Sequence, residues 1–134
     1  MVIIDSSVAF KWLTPEEPQQ EEAFLYLEKH LNKTNPILVP SLIFYELTNA
    51  WACKGHLTIK NVKDNIGRVK EYNLKVAEID FTILKKAAEL AKEYKISAYD
   101  AIYIALAQKK KCNFVTADQK LVSKVNLPFV KTLQ

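Results

Sequence analysis

Four carboxylates stand where a short apolar run gives way to a helix-like stretch. Asp5 ends "VIID" and Asp118 ends "FVTAD". Glu46 lies a turn and a half into "SLIFYELTNAW", and Asp100 heads "YDAIYIALA". Hard divalent cations are bound by carboxylate oxygens held on rigid elements, and a bound cation lowers the pKa of its water for attack on phosphorus. A plainer account exists for the aspartates, because an Asp just past a strand often caps the next helix. Glu46 resists that account. Its neighbours are overwhelmingly apolar, and the nearest following base, Lys54, is eight residues on. A lone buried carboxylate costs several kcal/mol unless it is paired or ligates a cation. Four acids from four separate segments therefore read as a set.

The elements that must position this set alternate along the chain. "VIID", "PILVP", "LKVAEID", "NFVTA" and "PFVKTL" read as strands. Helical patterns lie between them: "SSVAFKWL" with Ser6 or Ser7 near its cap, then a helix opened by Thr14, with Pro15 at its first position and Glu17 closing a capping box. That second helix would carry Phe24, Leu27 and Leu31 on one face. Ser41 is placed to cap "LIFYELTNAWACK", with Gly55 just past its end. Ile59, Val62, Ile66 and Val69 keep the spacing of an amphipathic helix, and Asp80 or Thr82 opens "ILKKAAELAKEY". This alternation predicts a three-layer α/β/α fold on a central parallel sheet of about five short strands. No repeat or linker interrupts residues 1–134, which are expected to form one domain. In such sheets ligands bind beyond the carboxyl ends of the strands, where Asp5 and Asp118 fall.

Composition bounds the function. The chain has 19 basic and 15 acidic residues, a net charge of +4, and Arg68 is the only arginine. With four acids set aside for a pocket, eleven remain against nineteen bases, so the rest of the surface is positive and suited to a phosphate backbone. Lysines supply point charges and favour backbone attraction over base reading. No apolar run is long enough to span a membrane, and Asp5 interrupts any signal-peptide core, so a cytoplasmic protein is expected. Cys53 and Cys112 lack metal-ligand spacing and read as reduced core residues. Trp12 and Trp51 read as core, and His30 and His56 as solvent-facing.

"VIIDSSVAFKWL", "VPSLIFYELTNAW", "ISAYDAIYIALA" and "FVTADQKL", in this order and spacing, resemble the PIN-domain family over the whole chain. Within it they are similar to the VapC-type ribonucleases of toxin–antitoxin pairs. The resemblance implies cleavage of RNA with Mg²⁺ or Mn²⁺ held by Asp5, Glu46, Asp100 and Asp118, the four matching acidic positions. It implies that Thr116 orients a water or carboxylate, and that Ser7 is the small polar residue after the first acid. Asn49, one turn beyond Glu46, is a candidate to hydrogen-bond into the same pocket. An RNA substrate, a VapB-type antitoxin and a homodimer follow from the same likeness.

Two other chemistries that place an aspartate after a first strand fit poorly. A haloacid-dehalogenase-type phosphatase needs a second aspartate where "DSS" has Ser7. A receiver domain needs an acidic pair near its first strand, which "MVIID" lacks. The alternative of another class is a catalytically silent PIN-like RNA-binding or protein-interaction module, which the complete acid set disfavours. Two surfaces are expected to seek partners. One is the helix of residues 42–54, apolar on nearly all faces. The other is a groove for an amphipathic antitoxin segment beside Phe10, Trp12 and Leu13.

Overall fold

Successive strand residues point to opposite faces, so a strand buried at every position must be covered on both sides. Val2, Ile3 and Ile4 are all buried, as are Ile37 to Pro40. The computed structural model describes residues 1–54 and 56–134. It places β1 (Val2–Ile4), β2 (Ile37–Pro40), β3 (Lys75–Ala77), β4 (Asn113–Thr116) and β5 (Val130–Thr132) in one sheet, ordered β3-β2-β1-β4-β5. Every pairing is parallel, with Ile3 opposite Leu38 and Phe114, and Ile4 opposite Val115. The helices are α1 (Ser6–Ala9), α2 (Gln20–Leu31), α3 (Leu42–Cys53), α4 (Ile59–Glu71), α5 (Phe81–Tyr94), α6 (Ala98–Lys110) and α7 (Gln119–Val125), with a 3-10 turn over Phe10–Trp12. The fold is the expected α/β/α arrangement. Strand order reverses between β1 and β4, which makes their carboxyl ends the switch point.

The core joins β1, β2 and β4 to Ile43, Leu47 and Trp51 of α3 and to Tyr103, Ile104 and Leu106 of α6. Both tryptophans are buried, as the sequence indicates. No helix among the described residues is long and apolar enough to cross a membrane. Gly55, expected just past α3, lies outside the described residues.

Several local expectations are corrected. The second helix does not start at Thr14. Pro18 would fall at its fourth position, the first whose N–H must bond back into the helix, and proline has none. The chain instead passes through left-handed backbone at Glu16 and Gln19 before α2 begins at Gln20. Gln20 Nε2 closes this loop by donating to the carbonyls of Lys11 at 2.7 Å and Thr14 at 2.8 Å. Thr14 Oγ1 is buried with no partner among the described residues. The buried face of α2 also differs from the expected one: it is Ala23, Leu27 and His30, while Phe24 and Leu31 are exposed.

His30 is thus buried rather than solvent-facing. Its Nδ1 accepts from the Ile37 backbone N–H at 3.0 Å, so Nε2 carries the proton and donates to the Tyr72 carbonyl at 2.9 Å. One side chain therefore ties α2 to the start of β2 and the end of α4. His56 is exposed, as read.

In α4 only Val69 is buried, and Ile59 is 76 % exposed. Cys53 is exposed rather than in the core, and Cys112 is half-buried; both are free thiols. Of the apolar cluster after β1, Trp12 packs inward, while Phe10 and Leu13 are half-buried against the core and Phe10 also borders a cleft. Trp12 Nε1 donates to the Ala23 carbonyl at 2.9 Å, and Phe10 stacks on Trp51 with ring centres 6.5 Å apart.

Candidate active site

Capping and site-building are not rival roles for the aspartates at the switch point. Asp5 caps α1, its Oδ1 accepting from the Ser7 N–H at 3.1 Å and from Ser7 Oγ at 2.5 Å. Ser6 and Ser7 thus open the helix without being its cap. Asp118 caps α7 by accepting from the Leu121 N–H at 3.1 Å. Asp100 is different, because Ser97 takes the cap of α6 and accepts from the Asp100 N–H. The Asp100 carboxylate caps no helix and, among the described residues, is met only by the Ser97 hydroxyl, which offers it a hydrogen bond. Ser41 occupies the cap position of α3 but its side chain makes no capping bond, and Asp80, not Thr82, caps α5.

Two hydroxyls sew the ends of β1 and β4 together. Thr116, fully buried, donates from Oγ1 to Asp5 Oδ2 at 2.6 Å and accepts from the Asp118 N–H at 3.1 Å. Ser7 Oγ donates to Asp5, accepts from the Ala117 N–H at 2.9 Å and lies 3.3 Å from Thr116 Oγ1. Both oxygens of Asp5 are therefore oriented by hydroxyls, one of them reaching across from β4. Asn49 is exposed, and its Oδ1 accepts a long bond from Cys53 Sγ within its own helix.

Exposure rises across the set, from Asp5 at 6 % through half-buried Glu46 and Asp100 to exposed Asp118. Burial pushes the Asp5 carboxyl up to about 6 against the pull of Ser7 and Thr116, and the Asp100 charge adds to the rise. Burial also raises Glu46, again with a push from Asp100. Asp100 is itself raised by burial and by the Asp118 charge. Asp100 is thus the node through which the other three repel. Among the described residues no Lys, Arg or His forms an ion pair with any of the four. Nor do three or more His, Cys, Asp or Glu side chains close to a metal-holding group. The donor chemistry, hard oxygens carrying uncompensated charge, fits a divalent cation, although the four carboxylates stand wider than a ready-made cage.

Glu46 has a partner that sequence reasoning missed. Tyr103 Oη donates to Glu46 Oε1 at 2.5 Å. The phenol is buried and stacks on Phe114 with centres 5.5 Å apart. Burial, then the Glu46 bond and charge, push its pKa upward, so it stays a donor. The signal was present, since Tyr103 lies three residues after Asp100 and so on the same face of α6.

An acidic centre at the switch point of a doubly wound parallel sheet defines the general class. More narrowly, the chain belongs to the PIN domain family, whose model matches residues 2–126. Among solved structures it is similar to PAE2754 from Pyrobaculum aerophilum, with a TM-score of 0.72 and 19 % identity over 98 % of this chain and 88 % of that one. A toxin–antitoxin complex from Klebsiella pneumoniae gives 0.70 and 17 % identity, over 100 % of this chain and 97 % of that one. VapC20 from Mycobacterium tuberculosis, a sarcin–ricin-loop-cleaving toxin, gives 0.67 and 16 %, over 97 % of each chain. At these identities the likeness is one of fold. No curated sequence matches the chain.

Proposed function

We propose that this chain acts as a single-domain, divalent-metal-dependent endoribonuclease of the cytoplasm, the toxin of a VapBC-type pair. One observation carries the reading: Asp5, Glu46 and Asp118, from three other segments, each lie close enough to Asp100 for their charges to interact, with no basic side chain paired to any of the four among the described residues. Asp5, Glu46, Asp100 and Asp118 would hold Mg²⁺ or Mn²⁺. When bound, such an ion supplies an activated water and neutralises charge on the phosphodiester. Thr116 and Ser7 fix the Asp5 carboxylate, and Tyr103 fixes Glu46, so the donors are oriented before a ligand arrives.

Purified protein incubated with total RNA tests this directly. Cleavage is expected with Mg²⁺ or Mn²⁺ and absent in EDTA. Intact RNA under both conditions, from a folded and partner-free sample, overturns the assignment and favours a silent binding module.

The partners follow from the same reading. A toxin–antitoxin complex is among its structural relatives, and a free ribonuclease is harmful to its own cell. Large apolar side chains are exposed around the β3 edge: Val76 on the strand and Phe81 and Leu84 on the helix after it. These suit a homodimer contact better than α3, whose apolar Ile43, Leu47 and Trp51 are buried and whose exposed positions include polar Thr48 and Asn49. Sedimentation of protein purified from its native host is expected to show a dimer carrying a small second protein. A lone monomer at micromolar concentration counts against both partners.

A further inference from the structure

Lys11 is a lysine in an unusual place. It lies in the 3-10 turn after α1, its side chain is 8 % exposed, and its only ion pair among the described residues is with Glu17 Oε1 at 3.7 Å. That distance is beyond a hydrogen bond, so the stem of Lys11 is packed while its ammonium, at the wall of a cleft, has no close partner among the described residues. The side chain borders a cleft of about 340 Å³ that is also lined by Ser7, Phe10, Glu17, Lys54 and Asp118. The cleft shares Asp118 with the acidic centre and therefore adjoins it. Lys54 Nζ stands 5.3 Å from the centre of the Phe10 ring. Phe10 is committed to Lys54 and Trp51, so it makes a fixed wall and not a free stacking platform.

We propose that this cleft is a phosphate subsite for the nucleic-acid strand, receiving a phosphodiester group neighbouring the one at the carboxylates. Lys11 is its principal ligand and Lys54 its second. Glu17 holds the Lys11 ammonium in the free protein and gives it up to the phosphate. The inference rests on the nuclease reading and adds a positioning role to it. A phosphate offers several acceptor oxygens where Glu17 supplies one distant one, so the exchange gives the Lys11 ammonium closer partners. Two lysines read charge without reading bases, and binding here is independent of sequence. The loop that delivers Glu17 is the one bent by Pro18 and pinned by Gln20, which gives that local departure from a helix a purpose.

The test uses the full chain and a short fluorescein-labelled single-stranded RNA, with anisotropy read in EDTA over a range of KCl concentrations. Lys11→Met keeps the packing of the stem and removes the charge. It is expected to weaken binding by about tenfold near 100 mM salt and to lower the log–log salt slope by about 0.7, the value for one phosphate contact on a single strand. Lys54→Met gives a smaller loss. Glu17→Gln retains the lysine and removes the competing anion, and severalfold tighter binding is expected. That result decides the matter even where Lys11→Met does not fold. An unchanged affinity and slope in folded Lys11→Met, or binding that Glu17→Gln does not tighten, overturns the subsite. If the native protein still cuts RNA with Mg²⁺ or Mn²⁺, the nuclease reading stands alone. If it neither binds nor cuts RNA, both fall.

Discussion

Asp5→Asn is expected to reduce metal-dependent RNA cleavage by more than about a hundredfold while leaving the fold intact. Removing a group that only supports a metal ligand typically costs about 10–100-fold, so neutralising the most buried of the proposed ligands should cost more. The fold survives for a specific reason. The asparagine oxygen can keep the Oδ1 role, accepting from the Ser7 N–H and hydroxyl. Its amide N–H must then donate to Thr116 Oγ1, which is possible because that hydroxyl can rotate its proton toward Ser7 Oγ at 3.3 Å. Cleavage is measured on a defined RNA with Mn²⁺, beside a circular dichroism spectrum of each protein. Native-level cleavage by the variant, in a preparation free of host ribonuclease, would remove Asp5 from the site.

The parts of this site that were legible in sequence are those fixed by short-range rules. A strand that ends in an aspartate at a helix start is readable from a handful of residues, and Asp5 and Asp118 were found that way. Parallel pairing followed from the alternation of strands and helices. What was not legible depends on contacts distant in sequence. The Glu46–Tyr103 bond spans 57 positions and the Asp5–Thr116 bond spans 111. No local pattern distinguishes a tyrosine that fills the core from one whose hydroxyl reaches a carboxylate. His30 was misplaced because the backbone groups it meets, at Ile37 and Tyr72, come from elements that no local pattern points to. The start of α2 was misplaced at Pro18, where a capping pattern and a proline's missing N–H gave opposite instructions and the proline prevailed. In α4 the spacing was right but its solvent side was not, since Ile59 lies in the first turn, beyond the elements that cover Val69.

The stability of the metal-free protein is expected to fall as pH rises from about 4 to about 6, the reverse of ordinary acid denaturation. The Asp5 carboxyl sits at about 6 in the folded protein, against 3.8 as its ordinary value. Below the lower value both the folded and unfolded chains hold the proton, and Asp5 is neutral in each. Between the two values the folded protein keeps a proton that the unfolded chain releases, so each rise in pH favours unfolding. Above about 6 the loss is complete, on the order of 3 kcal/mol for this group. Glu46 and Asp100 are raised as well and act in the same direction. Asp80, exposed and lowered by its bond from the Ile83 N–H, acts oppositely, with stability lost as pH falls through its folded value. The contrast between native protein and Asp5→Asn cancels that background, because Asp80 is common to both. At pH 7 without metal the variant is expected to be the more stable by about 2 kcal/mol, after roughly 1 kcal/mol for its less favourable hydrogen bonds. At about 4 °C per kcal/mol, that is a melting temperature about 8 °C higher. At pH 4 the advantage disappears. Mn²⁺ at a hundred times its dissociation constant should return about 2.7 kcal/mol to the native protein at pH 7 and far less to the variant. Thermal melts from pH 4 to pH 8, in EDTA and in Mn²⁺, read all of this without an activity assay. Equal melting temperatures for the two proteins at pH 7 in EDTA would show that the buried carboxylate is not the burden its surroundings imply.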